Sequence, residues 1–212
     1  MRSFEEIGRD TGTDKVSHHK YHPVYENHFG HLRNKQIVLL EIGVETGASL
    51  KLWEEYFPSA VVHGIDIRTE ARKYLSSRGK IFIGDQADPK FLAEVIKDIG
   101  SPDIIIDDGG HKMDQQQISF QTLFPRLRPG GIYVIEDLQT SYLEVYHGGP
   151  VGTPDTTIEM LKSAIDGVQH PYHGKVISKI PESIEGIHVY RNICFINKKM
   201  PPSAKPDKPP RS

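Results

Sequence analysis

Two apolar runs in this chain end in acid. Residues 102–114, "PDIIIDDGGHKMD", carry three isoleucines into Asp107 and Asp108, then two glycines and His111. Residues 130–139, "GGIYVIEDLQ", do the same into Glu136 and Asp137. Carboxylates held this close repel one another unless a positive group stands between them. Three carboxylates, Asp108, Glu136 and Asp137, with no cysteine nearby, describe a site for a hard cation, so Mg²⁺ or Mn²⁺ fits better than zinc. His111, three residues past Asp108, adds an imidazole that can accept a proton near neutral pH. A plainer account stays open: the acids as helix caps, and an idle loop histidine in a chain with eleven of them.

These residues sit at the ends of elements that the pattern predicts as strands. From residue 35 onward, short β-branched runs alternate with helical segments. Strands are expected at "QIVLLEIG" (37–42), "AVVHGIDI" ending at Asp66, "KIFIGD" ending near Asp85, "DIIIDD" and "GIYVIED". Between them lie helices at "ASLKLWEEYF", "TEARKYLSS", "DPKFLAEVIKDIG" and "QQQISFQTLFPRL". The third has a capping Asp88, Pro89 in the first turn and a terminating Gly100, and Pro125 ends or kinks the fourth. Apolar strands joined by helices imply a parallel sheet buried on both faces. After a loop over 142–156, which reads as polar and Gly/Pro-rich, comes a helix at "TTIEMLKSAI". Two strands follow in "SIEGIHVYRNICFINKK", separated by only Arg191 and Asn192. So short a link requires an antiparallel pair.

In an open α/β sheet, ligands bind beyond the carboxyl ends of the strands. The first such end reads "EIGVETG" (41–47). Gly43 and Gly47 flank the turn into the helix, where a missing Cβ lets a ligand approach the backbone. Glu45 breaks the GxGxxG dinucleotide fingerprint. Asp66 ends the second strand, either to accept hydrogen bonds from a ribose or simply to cap the next helix.

The glycine turn resembles motif I of S-adenosylmethionine-dependent methyltransferases. The segment "DDGGH…FQTLFPRLRPGGIYVIEDLQTSY", with "GTDKVSHHKYHPVYENHF" upstream, closely resembles the metal-dependent sugar O-methyltransferases of the mycinamicin type. The resemblance spans roughly residues 12–142, with a weaker echo in "IHVYRNICFINK". It implies the class I methyltransferase fold, an α/β Rossmann-like sheet of seven strands closed by a C-terminal antiparallel hairpin. It implies S-adenosylmethionine held by Thr13, Lys15, Glu41, Gly43, Gly47, Ser49, Asp66, Asp85 and Asp107, and Mg²⁺ (or Mn²⁺) on Asp108, Glu136 and Asp137. His111 would be the general base, and Tyr21, Gln139 and Tyr142 would meet the acceptor. The acceptor would be a small saccharide or glycoside, methylated mannosides included, and self-association as a homodimer is implied. Residues 1–34 would cover cofactor and substrate, residues 35–199 would form the catalytic domain, and residues 200–212 would be a disordered Pro-rich tail. Macrolide enzymes of this type carry a large extra N-terminal domain. This chain begins near the catalytic domain, so a more open substrate side is expected.

Bulk properties narrow the alternatives. A chain of 212 residues with net charge −2 gives no electrostatic reason to expect nucleic acid. No apolar run approaches a membrane span, and the N-terminus lacks an apolar signal core, so a cytoplasmic location is the default. The single cysteine, Cys194, lies in an apolar run and reads as a buried structural thiol. Histidines 18, 19, 22, 28 and 31 invite a zinc reading, but no HExxH or cysteine accompanies them. A catechol or phenol O-methyltransferase, an NAD-dependent nucleotide-sugar oxidoreductase and a non-catalytic binding module remain as competing readings.

Overall fold

A computed structural model describes residues 1–74, 78–169, 172 and 181–201. Five parallel strands form its centre: β1 (Val38–Ile42), β2 (Val61–Asp66), β3 (Ile81–Ile83), β4 (Ile104–Asp107) and β5 (Ile132–Ile135). An antiparallel hairpin, β6 (Ile184–Tyr190) and β7 (Ile193–Lys198), closes the sheet against β5. The strand order is β3-β2-β1-β4-β5-β7-β6, the seven-stranded class I methyltransferase sheet that the sequence predicts.

Alternate residues of each central strand feed opposite layers, as strand geometry requires. Leu39, Ile104, Ile106, Ile132 and Val134 pack on one face; Leu40, Ile105, Tyr133 and Ile135 pack on the other. Each fully buried side chain of this size contributes about 1.5–3 kcal/mol, so short strands suffice. The second layer includes α5 (Pro89–Ile99), α6 (Met113–Leu123) and α7 (Thr157–Val168). The cap predicted for α5 is present: Asp88 accepts from the Lys90 N–H at 2.9 Å. Around Pro125, α6 tightens into a 3-10 turn over Phe124–Arg126.

The first layer holds α4 (Ala48–Tyr56) and three N-terminal helices, α1 (Phe4–Thr11), α2 (Asp14–Ser17) and α3 (His22–Phe29). Ser3 and Glu6 form a capping box at α1. Phe4, Tyr25 and Phe29 are fully buried in one cluster with Leu39 and Trp53, and the Phe4 ring stacks on Tyr25 at 5.2 Å. The segment expected to cover ligands therefore also completes the core.

Three expectations need comment. The helix predicted from residue 69 is a 3-10 helix over Thr69–Tyr74. Asp66 accepts from the Arg68 N–H at 2.8 Å, so the chain turns on a side chain before an α-helix can start; residues 75–77 lie outside the described residues. The 142–156 loop, read as polar, exposes Leu143, Val145 and Val151. The predicted disordered tail lies, from residue 202, outside the described residues. Cys194 is buried as expected, and burial pushes its thiol up to about 12. No helix among the described residues is long and apolar enough to cross a membrane.

Candidate active site

Register brings the strand ends together. Ile42 of β1 pairs with Asp107 of β4, which pairs with Ile135 of β5. Gly43, Asp108 and Glu136 therefore leave the sheet side by side. Gly43 holds φ +93°, and a Cβ there would lie 1.9 Å from the Asp108 carbonyl oxygen; only glycine permits this approach. Gly47, at φ 73°, opens α4 with no side-chain cap. The first-turn N–H groups of α4 are thus left to other partners, and they favour an anion.

Two clefts flank this turn. One, of about 380 Å³, is lined by Gly43, Asp66, Asp85, Gln86, Asp108 and His111 among others. The second, of about 290 Å³, includes Thr13, Asp14, Gly43, Ser49 and Asp108. Asp66 serves the turn itself: one carboxylate oxygen accepts from the Val44 and Glu45 N–H groups, both at 3.0 Å. Burial works against its charge, but bonds from Arg68, Glu45 and Val44 outweigh it and hold the carboxyl below its usual range. Asp66 thus makes the local turn and also lines the cleft.

Beyond Asp108, three side chains converge. One ligand atom each from Asp108, His111 and Asp137 lie within 4.8 Å of one another, and this is the one such group among the described residues. His111 Nε2 stands 3.2 Å from Asp137 Oδ2 and 3.9 Å from Asp108 Oδ1. The N-terminal histidines assemble no comparable group; His22 lies 3.7 Å from Glu5, and His28 bonds Tyr190. Around Asp137 stand the Tyr21 hydroxyl at 3.2 Å, the Gln139 amide at 2.9 Å and His19 Nδ1 at 3.6 Å.

The sequence expects Glu136 beside Asp108 and Asp137 at the cation. Successive residues at a strand end point to opposite sides. Glu136 turns inward and accepts from Lys15 Nζ at 2.6 Å and from the Tyr25 hydroxyl. Lys15 is wholly buried; it also bonds Asp108 and lies 3.5 Å from Glu41. Burial alone would lower the Lys15 pKa, but Asp108, Glu136 and Glu41 hold it well above the ordinary lysine value. One ammonium does not balance three carboxylates. Burial, with Asp108 adding to it, drives Glu136 upward, and burial raises Glu41 as well. Beyond Glu136 and Glu41, two carboxylates and an imidazole form a donor set that suits a divalent cation bound by oxygen and nitrogen. The residues present fit Mg²⁺ or Mn²⁺.

Other predicted residues sit elsewhere. Lys15, Glu41 and Asp107 are fully buried and line none of these clefts. Glu41 accepts from Ser49 at 2.7 Å and from the Trp53 indole at 3.0 Å. Burial pushes Asp107 up to about 7. Gly47 packs on Tyr74 rather than on a cleft, and Tyr142 is 47% exposed.

Sequence reasoning missed two glutamines. Gln86 donates to Asp107 at 3.0 Å and accepts from the Gly110 N–H at 2.8 Å, fixing the loop that carries Asp108 and His111. Gln116 donates to the Glu136 carbonyl at 2.9 Å. An amide directly after a strand, in "GDQAD", was the available signal.

No protein-family model matches the chain. Among characterised proteins, it is 36% identical over 199 residues to the 8-demethyl-8-α-L-rhamnosyl tetracenomycin-C 2′-O-methyltransferase of Streptomyces olivaceus, covering 89% of this chain and 52% of that one. It is 37% identical over 193 residues to the mycinamicin VI 2″-O-methyltransferase of Micromonospora griseorubida, covering 85% and 48%. The MycE methyltransferase of the mycinamycin pathway, solved with Mg, SAH and mycinamycin VI, superposes with a TM-score of 0.86 at 35% identity, covering 98% of this chain and 57% of that one. The chain spans about half the length of the curated relatives it matches. Over that span, in sequence and in fold, it is a homologue of the macrolide and tetracenomycin sugar O-methyltransferases.

Proposed function

We propose that this chain is an S-adenosylmethionine-dependent, divalent-metal-dependent O-methyltransferase acting on a hydroxyl of a glycoside or oligosaccharide. The observation that carries this reading is the Asp108–His111–Asp137 group standing beside the clefts at Gly43. The solved relative with Mg, SAH and a glycosylated macrolide supports it. No observation favours a catechol acceptor or an oxidoreductase.

When bound, S-adenosylmethionine supplies an electrophilic methyl on a sulfonium, and the cation polarises the acceptor hydroxyl. The chain's own residues would do the rest. Asp85, Gln86 and Asp66 line the cleft suited to a nucleoside. Thr13, Ser49 and the uncapped start of α4 suit the amino-acid end. Asp108 and Asp137 would hold the cation. Lys15 pairs with Oδ2 of Asp108, while Oδ1 lies 3.9 Å from His111 Nε2. A sugar hydroxyl is almost wholly protonated at neutral pH, so a base must act. His111 would take the proton at Nε2 as the oxygen–methyl bond forms and the methyl–sulfur bond breaks. Asp137 Oδ2, 3.2 Å from that same Nε2, would attract the imidazolium once the proton is on Nε2. Tyr21 and Gln139 would position the acceptor.

Calorimetry tests the reading. S-adenosylhomocysteine should bind, and Mg²⁺ should bind in a way that Asp137→Asn weakens. Absence of S-adenosylhomocysteine binding, or NAD binding in its place, would overturn it.

A further inference from the structure

A third cleft, of about 600 Å³, is lined by His19 and Tyr21, both of which touch Asp137. It lies between the α2–α3 loop and the β6–β7 turn. Its floor touches the candidate metal group directly: the Tyr21 hydroxyl bonds both Asp137 Oδ1 at 3.2 Å and the Asn192 carbonyl at 3.3 Å. The Asp108–His111–Asp137 group thus borders the clefts at Gly43 and, through Tyr21 and His19, meets this one. A hydroxyl presented to that group from this side would leave the rest of its molecule in the third cleft.

The lining has one sign of charge. Lys20 and Arg191 both line it, together with His18 and His19, and no carboxylate does. The cleft at Gly43, by contrast, is lined by Glu45, Asp66, Asp85 and Asp108. Lys20 and Arg191 are both exposed, and neither makes an ion pair among the described residues. Lys20 also holds φ 60°, a conformation costly for a long side chain and found where the surroundings enforce it. The stacked His19 and Tyr21 rings, 4.9 Å apart, add a flat wall of the kind sugars pack against. Two exposed cations lining one cleft can recognise an anion.

We infer that the acceptor is an anionic glycoside, whose phosphate or carboxylate binds between Lys20 and Arg191 while its reacting hydroxyl meets Asp137 and His111. This deepens the methyl-transfer reading and rests on it. It separates this chain from acceptors recognised through an uncharged aglycone.

The test uses the full chain with S-adenosylhomocysteine and Mg²⁺, titrated with methyl phosphate and, separately, with acetate, while backbone amide shifts of Lys20 and Asn192 are followed. At least one anion should bind saturably. The Lys20→Ala and Arg191→Ala variants should each weaken it by about tenfold, roughly one charge-assisted hydrogen bond. Preference for methyl phosphate assigns a phosphorylated sugar, and preference for acetate a uronate. Both variants replace exposed residues, and an unchanged urea midpoint confirms that they fold. Failure of both anions to bind, or binding that both variants leave unchanged, overturns the inference. Loss of S-adenosylhomocysteine binding in the same sample would instead strike the methyl-transfer reading.

Discussion

His111 Nε2 lies 3.2 Å from Asp137 Oδ2, although the two residues leave different strands and both hold left-handed backbone angles, φ 58° and 57°. Two non-glycine residues in that conformation, facing each other, mark a site where local strain is tolerated for the position it gives a side chain. The pairing bears on whether His111 is a base or only a neighbour of the cation.

His111→Ala should still bind S-adenosylhomocysteine, since most of the Gly43 clefts remain, and should keep Mg²⁺ on Asp108 and Asp137. Turnover should fall by about 10² to 10⁴. Parallel loss of Mg²⁺ affinity and turnover in calorimetry and rate measurements would make His111 a ligand instead.

Lys15→Met should remove the one cation among Glu41, Asp108 and Glu136. Breaking a buried ion pair from one side costs about 3–5 kcal/mol. Urea unfolding should show a loss of that order, and added Mg²⁺ should recover part of it. A loss below about 1 kcal/mol would mean that the acids are neutralised without Lys15.

Lys15 also shows where the sequence stops being informative. Its partners Asp108 and Glu136 lie 93 and 121 residues away, so no local pattern brings them together. The same holds for Tyr25 on Glu136, 111 residues apart. By contrast, β4 and β5 were legible because apolar runs bounded by acids and glycines are local signals. Helix α5 was legible because Asp88, Pro89 and Gly100 punctuate it. The segment from residue 69 misled because its composition is helical while the Asp66 turn ahead of it is not. Asp108, His111 and Asp137 could be read as a group from strand-end logic. The inward turn of Glu136 could not, since it depends on an N-terminal helix whose docking the sequence does not state.

Gly43→Ala should be damaging out of proportion to its size. The new Cβ would meet the Asp108 carbonyl at 1.9 Å, at φ +93°. Backbone must move, and with it Asp108. We expect S-adenosylhomocysteine affinity to drop by about tenfold or more, the effect of roughly 1.4 kcal/mol or greater. Unchanged affinity by calorimetry would place the cofactor elsewhere.

His28 should make the fold acid-sensitive. Burial, with His188 and His31 nearby, lowers its pKa from the ordinary 6.5. The unfolded chain therefore binds a proton that the folded chain refuses, and stability must fall as pH drops below 6.5 toward the folded value. Above 6.5 this contribution is constant. His28→Phe keeps the stack on Phe195, 4.1 Å between centroids, and removes the titration. Its unfolding free energy should depend less steeply on pH than the wild type between pH 5 and 6.5. Equal slopes would show that His28 protonates freely in the fold.

Metal-dependent methyl transfer itself is the most direct test. The chain should be incubated with methyl-labelled S-adenosylmethionine and a panel of neutral, phosphorylated and uronic acid glycosides, with Mg²⁺ or with excess EDTA. Label should appear on a sugar oxygen of at least one glycoside with Mg²⁺, vanish with EDTA and return when Mg²⁺ is restored. Transfer at full rate in EDTA, or a panel left unlabelled by a protein that binds S-adenosylhomocysteine and Mg²⁺, would contradict the account.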